Sequence, residues 1–230
     1  MPEGGVGVLI PAYKAHRSIA GVVEAIRKVV DLPVVVVDDG SQDGTSEAAL
    51  SAGARVVALD RNGGKGTALW RGMAVCRDMG LKWVVTVDAD GQHLPVEIPR
   101  FLELATSASC GVVVGARNLS ARSMPWPRVC SNRLTTALLE LQAGCRLWDS
   151  QCGYRMYRLD AVWDAKLPSQ GRFEWESSAL VRMARRGWTV ERVEVSTVYE
   201  EAGSHIHPWR DTARFVRLWF SLWKVVFAKR

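Results

Sequence analysis

The chain has 230 residues, 48% of them hydrophobic and 23% charged, with a net charge of +6 and a pI near 9.3. This length suits one sizeable α/β domain with a real core and argues against two separate domains. Lys and Arg are spread along the sequence, thickening over 182–192 and 210–230, which favours anionic partners such as nucleotides or an acidic membrane surface over a nucleic-acid groove.

Residues 1–5 lack a basic stretch followed by an apolar one, so no signal peptide is expected, and no apolar run is long enough to span a bilayer. Cys76, Cys110, Cys130, Cys145 and Cys152 form no Cys-x-x-Cys and read as reduced thiols of a cytosolic protein. Residues 6–10 read as a first strand, stopped by Pro11. A helix is expected over 18–30, its apolar side formed by Ile19, Val22, Val23, Ile26, Val29 and Val30. Residues 33–37 are apolar at every position, as a parallel strand covered on both faces must be, and end in Asp38-Asp39-Gly40-Ser41. Asp43-Gly44-Thr45 leads into a helix to about Gly53, 55–59 is a third strand, Asn62-Gly63-Gly64-Lys65-Gly66 a turn, and 67–79 a helix.

The β-branched run Val84-Val85-Thr86-Val87 then forms a buried strand that ends in Asp88-Ala89-Asp90-Gly91-Gln92-His93. Carboxylates spaced i, i+2 on an extended chain point the same way and repel unless a cation lies between them. An all-oxygen set of this kind suits Mg2+ or Mn2+ with a substrate's phosphates completing the shell, whereas the plainer reading is a capped turn. The regular strand–helix alternation predicts a mainly parallel sheet with helices on both faces, whose ligands sit beyond the strands' carboxyl ends. Pro11-Ala12-Tyr13, Asp38-Asp39 and Asp88-Ala89-Asp90 all fall at such ends and are expected to share one crevice.

Further on, helices are expected over 96–106, 128–141 and 173–186, and strands over 111–116 and 189–195. A polar turn, 149–155, leads into one more short strand. The sequence has no repeats and no linker, so residues 1–208 are read as one domain. A soft seam near Ala116 separates a nucleotide half, 1–116, from an acceptor half, 117–208. Standard phosphate loops do not fit. A Walker loop needs a glycine where Leu59 stands, and a dinucleotide fingerprint needs its glycines where Pro11-Ala12-Tyr13 stands. A haloacid-dehalogenase-like phosphatase would match Asp88-Ala89-Asp90-Gly91, but Gln92 replaces its hydroxyl residue and the motif is on the fourth strand. A nucleotidyltransferase would need a glycine-rich loop after the first strand.

Ile10-Pro11-Ala12-Tyr13, Val37 to Thr45, Asn62 to Gly66, Asp88 to His93 and Gly115-Ala116-Arg117 stand in the order of glycosyltransferase family 2, which the chain resembles over about Val6 to Arg217. Asp149, Cys152-Gly153-Tyr154-Arg155, Phe173-Glu174-Trp175-Glu176 and Ser204-His205-Ile206 look most like its dolichyl- and polyprenyl-phosphate sugar synthase branch. The resemblance implies a GT-A fold and metal-dependent, inverting transfer of a sugar from a GDP- or UDP-linked donor to a lipid-type acceptor. Pro11, Ala12, Tyr13, Val37, Asp39, Lys65, Asp88, Ala89, Asp90, Arg117 and His205 would then line the nucleotide. Asp90 and Gln92, with Asp88 as a further ligand, would hold Mg2+ or Mn2+, and Arg117 would neutralise the diphosphate. A lipid phosphate is already anionic and needs no base; a hydroxyl acceptor would need one, for which Glu176 comes first and Asp149 second, with Glu174 a further candidate. A non-catalytic nucleotide-binding module would keep the same binding residues without turnover.

The chain departs from that branch at Ala15, where an acid is expected, and at Tyr199 and His205, where an Arg and a Lys clamp the diphosphate. Arg155 or Arg210 would have to replace that clamp. The tail, 209–230, reads as an amphipathic helix, with Arg214, Arg217, Ser221 and Lys224 on a polar stripe and Phe215, Trp219, Phe220, Leu222, Trp223 and Phe227 among its apolar residues. It is expected to lie on the cytoplasmic face of a membrane, the competing reading being that it docks on the domain or on a second subunit.

Overall fold

A computed structural model describes residues 4–104, 107–117, 126–196 and 208–227. Seven strands form one sheet: β1 (Val6–Ala12), β2 (Val34–Asp38), β3 (Arg55–Ala58), β4 (Trp83–Thr86), β5 (Cys110–Arg117), β6 (Arg155–Arg158) and β7 (Thr189–Val195). Their order is β3-β2-β1-β4-β6-β5-β7, so the strand carrying the acid pair lies at the centre. All neighbours are parallel except β6, which runs antiparallel to both β4 and β5. The carboxyl ends of β1, β2, β4 and β5 therefore open on one edge of the sheet. The seam expected near Ala116 falls inside β5, and β6, from the second half, is inserted beside β4 of the first.

Alternation along the strands divides the core in two. Val8, Ile10, Val34, Val36 and Val85 meet α1 (Ile19–Val29), α2 (Thr45–Ser51) and α4 (Ile98–Leu104) on one face. Leu9, Val35, Val37, Val84, Val112 and Tyr157 meet α3 (Lys65–Asp78), α5 (Trp126–Ala143), α6 (Leu159–Asp164), α7 (Glu174–Arg185) and α8 (Pro208–Phe227) on the other. Both faces of each central strand are covered, which is why 34–37 carries four valines in succession.

Several boundaries differ from expectation. Pro11 does not stop β1. Val8 N donates to Pro33 O and Ala12 O accepts from Asp39 N, so these alternate residues turn towards β2. Pro11 turns the other way, past the last β4 pair Leu9–Thr86, where no N–H is needed. Lys65 and Gly66 belong to the first turn of α3 rather than to the preceding loop. The helix expected over 96–106 opens as a 3-10 turn, Pro95–Glu97, and continues as α4 over Ile98–Leu104, with 105–106 outside the described residues. Helix α6 and the direction of β6 were not anticipated.

The tail forms α8, packed on α5 and α7. Leu222 is buried, Gln142 Nε2 donates to Trp219 O at 2.7 Å and Trp219 Nε1 donates to Leu138 O at 3.3 Å. Part of its apolar surface thus lies on the domain, while Val216 and Phe220 face outward. Among the described residues no helix is long and apolar enough to cross a membrane.

Candidate active site

Where β2 ends, Asp38 and Asp39 are both buried and held by neutral donors. Asp38 accepts from Ser41 N at 3.0 Å and from the Ser46 hydroxyl at 2.6 Å, which ties down the turn that follows β2. Gly40 completes that turn with φ 76°, and a Cβ there would meet the Arg61 backbone at 2.6 Å. Asp39 reaches across the crevice edge to accept Gly63 N and Gly64 N, both at 2.8 Å. Gly64 is the N-cap of α3 and has no side chain to cap with, so Asp39 supplies the cap from another strand. Beside it Tyr13 is 46% exposed, with Lys14 Nζ 5.4 Å from its ring centre, at the rim where a base can stack. Pro11, Ala12 and Val37 have buried side chains and are paired within the sheet near its carboxyl edge.

At the end of β4 the turn is fixed at several points. Val87 N donates to Leu9 O, the Ser18 hydroxyl donates to Ala89 O at 2.6 Å and Asp88 N donates to His93 Nδ1 at 3.2 Å. The His93 ring stacks on Tyr154 with centroids 4.8 Å apart, and Tyr154 OH donates to Leu94 O at 3.0 Å. Burial pushes the His93 imidazole below its ordinary pKa, the nearby Asp88 charge opposing it, so the ring serves as a neutral acceptor.

Asp88 forms an ion pair with Lys65 Nζ at 2.6 Å, and the same Nζ lies 3.1 Å from Glu176 on α7. Burial alone would push the Asp88 carboxyl up, but the Lys65 charge, aided by His93, brings it down to about 2. Lys65 moves the other way: burial would lower it, and its two carboxylate partners raise it above the ordinary lysine value. Glu176 Oε1 is buried with no hydrogen-bond partner among the described residues. Gly153 closes this cluster, since a Cβ there would stand 2.7 Å from Lys65 Nζ and 2.8 Å from Asp88 Oδ2.

On the β5 side Arg117 and Asp149 form a two-pronged pair, Nε to Oδ2 at 2.7 Å and Nη2 to Oδ1 at 3.0 Å, with Asp149 almost wholly buried. A guanidinium held by a carboxylate in this way is oriented, and a carboxylate so engaged is poorly placed to take a proton. Arg155 cannot act as the diphosphate clamp. It is fully buried, and its nitrogens donate to Cys152 O, Ser150 O, Glu176 O and Tyr157 OH at 2.7–3.0 Å. Its role is to knit β6 to α7 and to the turn before β6.

A chain of contacts thus runs from Asp39 through Gly64 and Lys65 to Asp88, Gly153 and Glu176, and the turn carrying Gly153 leads back to Asp149 and Arg117. Asp90 lies apart from it: exposed, with Oδ1 accepting Gln92 N at 3.0 Å. No group of three or more His, Cys, Asp or Glu side chains gathers as a metal site among the described residues. The oxygen donors of Asp90 and Gln92 nevertheless fit a hard divalent ion that draws its other ligands from water and a diphosphate. His205 and Tyr199 lie outside the described residues, as does the side chain of Arg210. Ser18 and Tyr154, which fix the acid turn, were given no role from sequence. A serine opening a helix reads as a cap, and here it caps nothing through its side chain.

The mainly parallel sheet, covered by helices on both faces and carrying acids at its carboxyl edge, has the GT-A fold. The model of Glycosyl transferase family 2 matches residues 7–165, and the chain belongs to that family. It is therefore a glycosyltransferase. Its relatives include an undecaprenyl-phosphate mannosyltransferase of Micrococcus luteus, 30% identical over 85% of this chain and 84% of that protein. A polyprenol monophosphomannose synthase of Mycolicibacterium smegmatis is 28% identical over 85% and 78%. In fold the chain is similar to glucosyl-3-phosphoglycerate synthase of Mycobacterium tuberculosis, with a TM-score of 0.73 at 21% identity over 97% of this chain and 80% of that one. That enzyme has been crystallised with Mn2+ or Mg2+ and UDP.

Proposed function

We infer that this glycosyltransferase moves a sugar from a GDP- or UDP-linked donor to a lipid-type acceptor such as polyprenyl phosphate, at the cytoplasmic face of a membrane. The observation that carries the reading is the convergence of the Asp39-capped start of α3, the Asp88–Asp90 turn and the Asp149-held Arg117 on one edge of the sheet. The lipid carriers named for the relatives support the choice of acceptor.

Tyr13 and Asp39 receive the base and ribose, and Lys65 and Arg117 meet the diphosphate. Asp90 and Gln92, with Asp88 as a further ligand, would hold Mg2+ or Mn2+, which when bound would stabilise charge on the leaving nucleoside diphosphate. Arg117 stabilises the same charge from the other side, its fork set by Asp149. With a phosphate acceptor no base is needed. A hydroxyl acceptor is the second reading, and the unpartnered Oε1 of Glu176 favours it, with Lys65 ready to balance the charge.

Thermal shift with GDP-, UDP- and CDP-linked sugars, with and without Mn2+, tests the donor, because a ligand stabilises by mass action. One nucleotide class should raise the midpoint, and more so with the metal. Asp90→Asn should abolish the metal-dependent part and lower turnover on polyprenyl phosphate by about a hundred-fold or more. Near-normal turnover in saturating metal would sink the metal assignment. Tight donor binding with no transfer would leave a binding module.

A further inference from the structure

We propose that the outer face of α5, together with the exposed edge of α8, is the surface on which this chain lies on an anionic lipid bilayer. The inference rests on the lipid-acceptor reading above and moves the main contact from the tail to a helix within the domain.

Along α5 the residues Trp126, Cys130, Leu134, Ala137 and Leu141 succeed one another at steps of four, four, three and four, the spacing of a single helix face, and all are exposed. Trp126 is 69% exposed, and Leu134 and Leu141 are 63% each. The opposite face, with Val129, Leu139 and Ala143, is buried against the sheet and its neighbours. Helix α5 is therefore apolar on both sides, and among the described residues only one side is buried. Helix α8 packs on α5 at Leu138 and Gln142, and it too exposes large apolar side chains, Val216 and Phe220. Large side chains aligned on adjoining helices make a patch, which single exposed leucines do not.

Charge decides what covers it. Arg133 on α5 and Arg217 and Lys224 on α8 are exposed. Among the described side chains of the two helices the one acid is Glu140, whose Oε1 accepts Leu147 N at 2.8 Å. An apolar face bordered by cations matches the acyl boundary and headgroups of an anionic membrane. A second copy laid on the same face would set cation against cation. Helix α5 is tied to the crevice through Thr136, whose hydroxyl lies 2.9 Å from that of Ser150, the neighbour of Asp149.

The test is flotation of the full-length chain with vesicles of phosphatidylglycerol and phosphatidylcholine, against vesicles of phosphatidylcholine alone. Wild type should float with the anionic vesicles. Leu134→Glu/Leu141→Glu should lose about ten-fold in partitioning for each leucine while keeping the wild-type melting midpoint and donor-induced shift. Arg217→Gln/Lys224→Gln should lose the preference for anionic lipid. If the leucine variant floats as wild type does, this surface is wrong while the membrane reading stands. If wild type floats with neither vesicle, the membrane reading itself fails. Light scattering that shows a dimer broken by the leucine variant would assign the face to a second copy and overturn the proposal.

Discussion

Asp38 and Asp39 close β2 much as Asp88 and Asp90 close β4, yet different physics holds the two pairs. The β2 acids are satisfied by backbone N–H groups and a serine hydroxyl. These neutral donors form part of the chain's own turns, and salt or a bound ion cannot readily exchange them. Asp88 instead leans on Lys65, which is shared with Glu176, and on the far side Arg117 leans on Asp149. Mutual charge compensation of this kind can be re-partnered by a metal or a diphosphate. One side of the crevice is thus a fixed mould, and the other is a set of paired charges that, on the proposed function, a substrate would rearrange.

The largest effect that would break this contrast comes from Arg117→Ala, which leaves Asp149 buried without its cation. We expect a loss of about 3 kcal/mol, seen as a fall of roughly 6–12 °C in Tm, with turnover down about a hundred-fold. Arg117→Lys should recover little, because an ammonium cannot bind both carboxylate oxygens in the same fork. Wild-type stability in Arg117→Ala would show that the pair is not what neutralises Asp149.

Next comes Lys65→Met, which sets Asp88 and Glu176 side by side without their cation and should cost about 2 kcal/mol near neutrality. Its sharper signature is pH. Asp88 titrates at about 2 when folded, against 3.8 ordinarily, so its contribution is complete above the ordinary value and is lost as pH falls towards 2. Lys65 is raised, so its contribution is full below its ordinary 10.5 and fades as pH rises beyond it. In Lys65→Met the burial that pushes Asp88 up is unopposed by that charge. The acid limb of stability, measured by denaturant unfolding without metal, should move to higher pH; an unmoved limb would remove Lys65 from the account.

Gly153→Ala should be milder in stability, about 1 kcal/mol, because the tip of Lys65 can yield. The displaced Lys65–Asp88 pair should still lower kcat about ten-fold. Ser18→Ala is the smallest and belongs to the other class. It removes one neutral hydrogen bond to Ala89, costing about 1 kcal/mol, with no change in the acid limb. If Ser18→Ala, which removes a neutral bond in the Asp88 turn itself, shifted the acid limb as Lys65→Met should, the limb would not report the Lys65 charge.

The fixed side was the more legible in sequence because its bonds are short-range and its residues cluster: Asp38-Asp39-Gly40-Ser41 announces its own turn. The edge on which the motifs meet followed from strand–helix alternation, which also located β1 to β4 to within a few residues. The rearrangeable side could be named by family likeness but not assembled. Nothing in the spacing tells that Lys65 meets Glu176, that Arg155 is spent on four backbone and hydroxyl oxygens, or that Pro11 lies inside a strand.

Periodicity and composition by themselves determined that this chain makes a covered, mainly parallel sheet with acids at its carboxyl edge, because the burial of apolar residues is written into local spacing. Only the tertiary structure decided that β6 enters antiparallel between β4 and β5, which delivers Gly153 to Asp88 and joins two charge clusters that lie far apart in sequence. It alone also decided which apolar face of α5 is covered. A helix with two such faces fits the core through either one, and the choice falls to whichever neighbours the sheet order provides.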